Sequence, residues 1–186
     1  MEQHLILRYH TMKNYNILII DDEKSQRDIL QGYLAKKGYK VFAAESGSQG
    51  IKIIIENLVD IVLSDYKMPE MTGLEILAKV SQINPEISFV IITAYGTVEN
   101  AVNAMHLGAY DYLSKPVNLD ELDLLIARII EHKNLKSENE LLKKQLYERY
   151  KLSSFISHSS KMEEVISVAV RVAESKATIL ITGENG

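Results

Sequence analysis

Residues 16–23 read Asn16-Ile17-Leu18-Ile19-Ile20-Asp21-Asp22-Glu23, four aliphatic side chains in a row that end abruptly in three acids. An unbroken apolar run of this length, rather than an alternating one, is the pattern of a strand buried on both faces, as in a parallel sheet. The residues that follow change period. From Ser25 to Lys37, the side chains Ile29, Leu30, Tyr33 and Leu34 fall on one helical face, and Gly38 supplies a helix stop. Strand then helix is the first unit, and it repeats. Lys40 to Ala44, Ile61 to Ser64, Ile87 to Ile92 and Ala109 to Leu113 read as further strands; Ser48 to Asn57, Thr72 to Gln82 and Val98 to Leu107 read as the helices between them. Such alternation predicts an α/β fold built on a doubly wound, five-stranded parallel sheet.

In an open sheet of this kind the ligand crevice lies beyond the carboxyl ends of the strands, where strand order reverses. Asp21, Asp22, Asp65, Thr93 and Lys115 all fall at or just past predicted strand ends. Carboxylate oxygens suit a hard divalent cation such as Mg2+, which usually keeps several waters; Asp22 and Asp65 are the candidate direct ligands. An aspartate can also act as a nucleophile and form an acyl phosphate. The phosphoryl oxygens then need cations and donors already aimed at them, roles that suit the metal, Lys115 and the Thr93 hydroxyl. Each residue also has a plain structural reading. Asp22 could cap the first helix, Asp65 could be a turn residue before Tyr66-Lys67-Met68-Pro69, and Lys115-Pro116 could be a stop signal. Taken singly, those readings are favoured; in this order, at successive strand ends, coincidence is a poor explanation.

The composition, 46% hydrophobic and 25% charged over 186 residues, is that of an ordinary globular chain. A formal net charge of -4 leaves no basic footprint for nucleic acid. The absence of cysteine excludes disulfides and thiolate metal sites and fits a cytoplasmic location. The five histidines, His4, His10, His106, His132 and His158, show no ligand spacing. The longest apolar stretch, Ile51 to Leu63, is interrupted by Lys52, Glu56, Asn57 and Asp60, so no membrane span is expected. Residues 1–13 lack the marks of a signal peptide and are expected to form a poorly ordered extension.

Past Pro116 the character changes. Leu119 to about Tyr150 contains neither proline nor glycine and reads as one long helix, with Leu122, Leu125, Ile126, Ile129 and Ile130 set to cover the sheet. Leu135, Leu142 and Leu146 then recur at heptad spacing with Asn139 at a core position. That seam points either to self-pairing or to a solvated single helix. Ser160 to Glu174 is amphipathic, with Met162, Val165, Ile166, Ala169 and Val172 on one face, and Thr178 to Ile181 reads as a strand running into Gly183-Glu184-Asn185-Gly186. So few residues cannot build a core of their own. The expected organisation is an extension at 1–13, a domain at 14–134, a helical linker at 135–152 and the start of a further domain at 153–186.

Asn16 to Leu135 resembles the receiver domain of bacterial two-component response regulators. The resemblance rests on Asp21-Asp22-Glu23, on Asp65-Tyr66-Lys67-Met68-Pro69 with Gly73, on Thr93-Ala94, and on Gly108-Ala109-Tyr110-Asp111-Tyr112 leading to Lys115-Pro116. It implies a flavodoxin-like sheet and Asp65 as the phosphoacceptor, with Asp21, Asp22, Asp65 and the Lys67 main-chain carbonyl around Mg2+. Thr93 would be the switch hydroxyl, Lys115 the phosphate-contacting lysine, and Tyr112 the aromatic switch, although a strand-core aromatic would sit at the same place. The phosphoryl donor would be a partner sensor histidine kinase. The segment after the receiver resembles the sigma-54-dependent activators of the NtrC type, whose AAA+ ATPase carries a Walker A loop. Gly183, Glu184, Asn185 and Gly186 match the start of that loop, with Asn185 where serine is usual, and the chain stops before the Gly-Lys that grips the phosphates. As it stands the chain is expected neither to bind nor to hydrolyse ATP. Sigma-54 RNA polymerase and DNA would be partners of a longer protein, and a homodimer through the receiver face and the linker helix is expected. Two rivals remain: a small aspartyl-phosphate phosphatase, which would want an acid where Lys67 stands, and a dimerisation scaffold without phosphoryl chemistry.

Overall fold

A computed structural model of the chain describes residues 15–94, 98–150 and 160–173, together with 180, 182 and 183. In chain order the elements are β1 (Asn16–Ile20), α1 (Lys24–Lys36), β2 (Lys40–Ala44), α2 (Gly47–Glu56), β3 (Ile61–Asp65), α3 (Gly73–Ile83), β4 (Ser88–Thr93), α4 (Val98–His106), β5 (Asp111–Ser114), α5 (Leu119–Tyr150) and α6 (Ser160–Ala173). The strands form one sheet in the order β2-β1-β3-β4-β5, and every pairing is parallel. This is the flavodoxin-like order, whose reversal lies between β1 and β3. Their register, with Ile20 opposite both Ala44 and Ser64, brings the two strands to an end at the same edge.

Side-chain alternation along the strands splits the core in two. Ile17, Ile19, Ile61, Leu63, Val90, Ile92 and Leu113 face α1 and α5, meeting Leu30, Leu34, Leu122, Leu125, Ile126 and Ile129. Leu18, Ile20, Val62, Phe89 and Ile91 face the opposite way, against Ile54 of α2, Ile76, Leu77 and Val80 of α3, and Ala104 of α4. Both faces of the central strands are therefore dry, which is why their sequences read as continuous apolar runs. Helix starts are set locally. Thr72 and Glu75 form a reciprocal capping box at α3, the Ser46 hydroxyl accepts from the Gln49 amide at α2, and the Asn118 side chain accepts from the amides of Asp120 and Glu121 at α5. The α1 and α5 layer is stitched by Asp123, which accepts from the Tyr33 hydroxyl at 2.8 Å and from Lys37 Nζ at 2.6 Å.

Two expectations need correction. The fifth strand spans Asp111–Ser114 rather than Ala109 to Leu113. Gly108 adopts φ +95° to leave α4, the amides of Gly108 and Ala109 close the helix onto the Met105 and Ala104 carbonyls, and the Tyr110 amide is the first to donate across to β4, at Phe89. Ile29, expected on the packed face of α1, is 59% exposed, because the sheet receives only the Leu30 and Leu34 stripe with Tyr33 at its margin.

By internal contacts the chain divides into two compact units, Met1–Lys133 and Asn134–Gly186. In the second, Leu135 and Leu142 of α5 are exposed, as are Met162 and Val165 of α6. The leading segment 1–13, the side chains of Leu146, Ile166 and Ala169, and the residues Glu174, Thr178, Ile179, Ile181, Glu184, Asn185 and Gly186 lie outside the described residues. Leu180, expected in a strand, and Gly183 are described and belong to no strand or helix. Among the described residues no helix is long and apolar enough to cross a membrane.

Candidate functional site

The end of β1 and the ends of β3, β4 and β5 bring the predicted residues to one edge of the sheet. Asp65 and Thr93 are the last residues of their strands; Asp21 follows β1 directly and Lys115 follows β5 directly. The parallel ladder continues just far enough to hold the two flanking loops. The Asp21 amide donates to the Ala44 carbonyl at 3.2 Å and the Lys115 amide to the Thr93 carbonyl at 2.8 Å. The Lys115–Pro116 peptide bond is cis.

Lys115 Nζ lies 2.9 Å from Asp21 Oδ2 and 2.7 Å from Asp65 Oδ2 and donates to both. Asp21, Asp65 and Thr93 are buried, whereas Asp22 is exposed. The other Asp21 oxygen accepts from the Glu23 amide at 2.8 Å, and Asp65 Oδ1 accepts from the Lys67 amide at 3.3 Å. Helix capping does not explain Asp22, since the N-cap of α1 is Glu23 and no side chain caps it. Behind Asp65, the first residue of α3 is Gly73, where a Cβ would stand 2.5 Å from the Asp65 main-chain oxygen. Glycine is what allows α3 to start against the loop.

One oxygen each from Asp21, Asp22 and Asp65 falls within 4.8 Å of the others, and among the described residues this is the acidic group of metal-ligand geometry. Three carboxylates share the one ammonium of Lys115, which touches two of them, so the acidic group carries more negative than directly paired positive charge. Burial pushes the Asp21 carboxyl above its ordinary value, with Asp65 adding to the rise, and the hydrogen bonds from Lys115 and the Glu23 amide only partly restrain it. Burial alone would lower Lys115, but its hydrogen bonds to Asp65 and Asp21 raise it on balance. Hard oxygen donors with excess charge and one exposed carboxylate fit Mg2+.

Tyr112 is not a core aromatic: its side chain is 40% exposed. It pairs with Ile91 while Ser114 pairs with Thr93, so Tyr112 and Thr93 share a face of the sheet one pleat apart. Gly183, the one described member of the Walker-like segment, is exposed. Arg27 was not singled out by the sequence pattern, yet its Nη1 donates to the Asp21 main-chain carbonyl at 2.6 Å. The available signal was a cation in the first turns of the helix that follows the acids.

The profile of the family described as response regulator receiver domain matches residues 17–127. The chain is 36% identical over 177 residues to the transcriptional regulatory protein ZraR of Escherichia coli K12, covering 95% of this chain and 39% of that protein. It thus spans about two-fifths of the length of the curated relatives it matches. A response regulator receiver domain from Clostridium thermocellum superposes with TM-score 0.62 at 36% identity, over 65% of this chain and 98% of that one. NtrX from Brucella abortus, solved in complex with ADP, superposes with TM-score 0.64 at 29% identity over 85% of this chain and 34% of its own.

Proposed function

The chain belongs to the response regulator receiver domain family, and from that premise we propose that it is a phosphorylation-operated input module whose acceptor is Asp65. The observation that carries the reading is the single ammonium of Lys115 bridging Asp21 and Asp65 beside the exposed Asp22 carboxylate. Asp21, Asp22 and Asp65, with the Lys67 main-chain carbonyl, would hold Mg2+. When bound, a cation of this kind neutralises phosphoryl oxygens and draws them into line.

The residues divide the remaining work. An Asp65 carboxylate oxygen attacks the phosphorus of a phosphohistidine on a sensor histidine kinase; the P–O bond forms, the P–N bond breaks, and the imidazole leaves with the electron pair. Lys115 gives up its contact to Asp65 Oδ2 and donates to a phosphoryl oxygen, already in place and needing little reorganisation. The Thr93 hydroxyl takes another phosphoryl oxygen. Tyr112, exposed on the same face one pleat away, follows Thr93 inward and alters the surface of α4, β5 and α5. Phosphate redistributes the two states only to the extent that it prefers one.

The output half of the reading concerns a longer protein. Residues 14–134 act as receiver, 135–152 as linker and 153–186 as the beginning of an AAA+ ATPase in a sigma-54-dependent activator of the NtrC type, acting on sigma-54 RNA polymerase and DNA. The linker helix pairs two copies through Leu135 and Leu142, both exposed in the single chain. Incubation with acetyl phosphate and Mg2+ should add one phosphoryl group to the wild type and none to Asp65→Asn, read by intact-protein mass. Labelling that survives the substitution refutes the assignment of Asp65, and an unlabelled wild type returns the protein to a scaffold.

A further inference from the structure

Arg27 is a cation that the proposed transfer leaves without a part. Its side chain is only 13% exposed; Nη1 donates to the Asp21 carbonyl at 2.6 Å, and Nη2 lies 3.9 Å from Glu45 Oε2. It occupies the fourth position of α1, near the positive end of the helix dipole, and no acid in the first turn offsets it. Electrostatics within the helix therefore argues against a cation there. Helical side chains lean toward the N-terminus, so Arg27 reaches back across the loop that carries the acids.

At Asp21 that reach completes a set. Its amide donates to Ala44, one carboxylate oxygen accepts from Glu23 and the other from Lys115, and the carbonyl accepts from Arg27. A buried carbonyl left without a donor is costly. With Arg27 in place, every polar group of Asp21, the residue before Asp22, is tied.

We infer that Arg27 is a positioning residue for the acidic site: by gripping the Asp21 carbonyl it sets the loop from which the Asp21 and Asp22 carboxylates meet Asp65. Its effect is read on divalent-cation affinity. The inference rests on the reading of the cluster as a Mg2+ site. The two things Arg27 could do have opposite signs. As a bare positive charge it repels Mg2+, and removing it would tighten binding. As a positioner it holds the ligands, and removing it loosens binding; partners of metal ligands typically contribute on the order of 10- to 100-fold in affinity.

The experiment is a MgCl2 titration of the full chain at constant ionic strength, followed by the NMR amide shifts of residues 21–23 and 65–67. It is run on the wild type, Arg27→Ala, Arg27→Lys, Glu45→Gln and, as a report on the site itself, Asp22→Asn. Arg27→Ala should bind Mg2+ about tenfold or more weakly. Arg27→Lys, which can still donate to the carbonyl, should recover most of the affinity. Affinity in Arg27→Ala equal to or tighter than wild type overturns the inference, and so does an equal loss in Glu45→Gln, which would assign the effect to the exposed ion pair. If Arg27→Ala does not fold, Arg27→Met, which keeps an apolar stem and has no donor, takes its place: weaker binding supports the positioning role, and equal or tighter binding overturns it. A wild type that binds no Mg2+ removes the metal-site reading and the inference together. Binding lost in Asp22→Asn but intact in Arg27→Ala removes the inference alone.

Discussion

Replacing Lys115 by methionine keeps the aliphatic stem and deletes the ammonium that touches Asp21 and Asp65. The two carboxylates it leaves are nearly sealed, with side-chain exposures of 2% and 11%. Removing one partner of a buried ion pair costs about 3–5 kcal/mol because a buried charge is stranded. The lower end applies here, since Lys115 keeps 15% exposure and the site opens past Asp22. For a unit of roughly 120 residues, about 3 kcal/mol corresponds to about 12 °C in melting temperature. The deficit has two antidotes. Asp21 in the folded state sits above its ordinary value of 3.8, so its protonation favours folding: that contribution is full below 3.8 and is lost as pH rises through the folded value. Without Lys115 the Asp21 carboxyl rises further, so the variant's deficit should shrink on acidification. Added Mg2+ should shrink it too, by supplying the missing charge. The contribution of Lys115 in the wild type is present below 10.5 and lost as pH rises through its raised folded value. Circular-dichroism melts of both proteins at neutral and mildly acidic pH, with and without MgCl2, read all of this. Equal melting at neutral pH without Mg2+, or a deficit indifferent to both acid and Mg2+, would refute the claim that the ammonium neutralises buried carboxylates.

Gly73→Ala forces a Cβ to within 2.5 Å of the Asp65 main-chain oxygen, where backbone must move; a loss of about 1–3 kcal/mol is expected, with slower acetyl phosphate labelling at Asp65. Thr72→Ala removes the hydroxyl half of the capping box at α3 and leaves the Glu75 carboxylate on the residue-72 amide; it should cost about 1 kcal/mol in a denaturant melt and leave labelling at Asp65 unchanged, since the cap touches neither Asp65 nor Lys115. Leu142→Asp places a charge on the exposed face of α5; light scattering should show loss of the dimer if this face pairs two copies, and a wild type that is monomeric with and without beryllofluoride rules that pairing out.

The apolar runs ending in Asp21, Asp65 and Thr93, and the helices between them, were legible because a strand covered on both faces must be continuously apolar, whatever its neighbours are. Period alone separates such a strand from an amphipathic helix. Chemistry at the strand ends was legible for a related reason: a parallel sheet collects all its carboxyl ends at one edge, so residues far apart in sequence meet there once the alternation is recognised. Three things depended on the tertiary structure. Ile29 belongs to the packed face by period but not by contact, because how wide a stripe the sheet accepts is set by the layer it packs on. The start of β5 depended on which amides Gly108 diverts into closing α4. Arg27 showed no role in sequence, since what gives it one is a main-chain carbonyl, and every residue has one. The order of acids, hydroxyl and lysine was written in the chain; that a single ammonium bridges Asp21 and Asp65, with a guanidinium holding the loop between the acids and α1, was decided by the sheet that brings residues 21, 65 and 115 together.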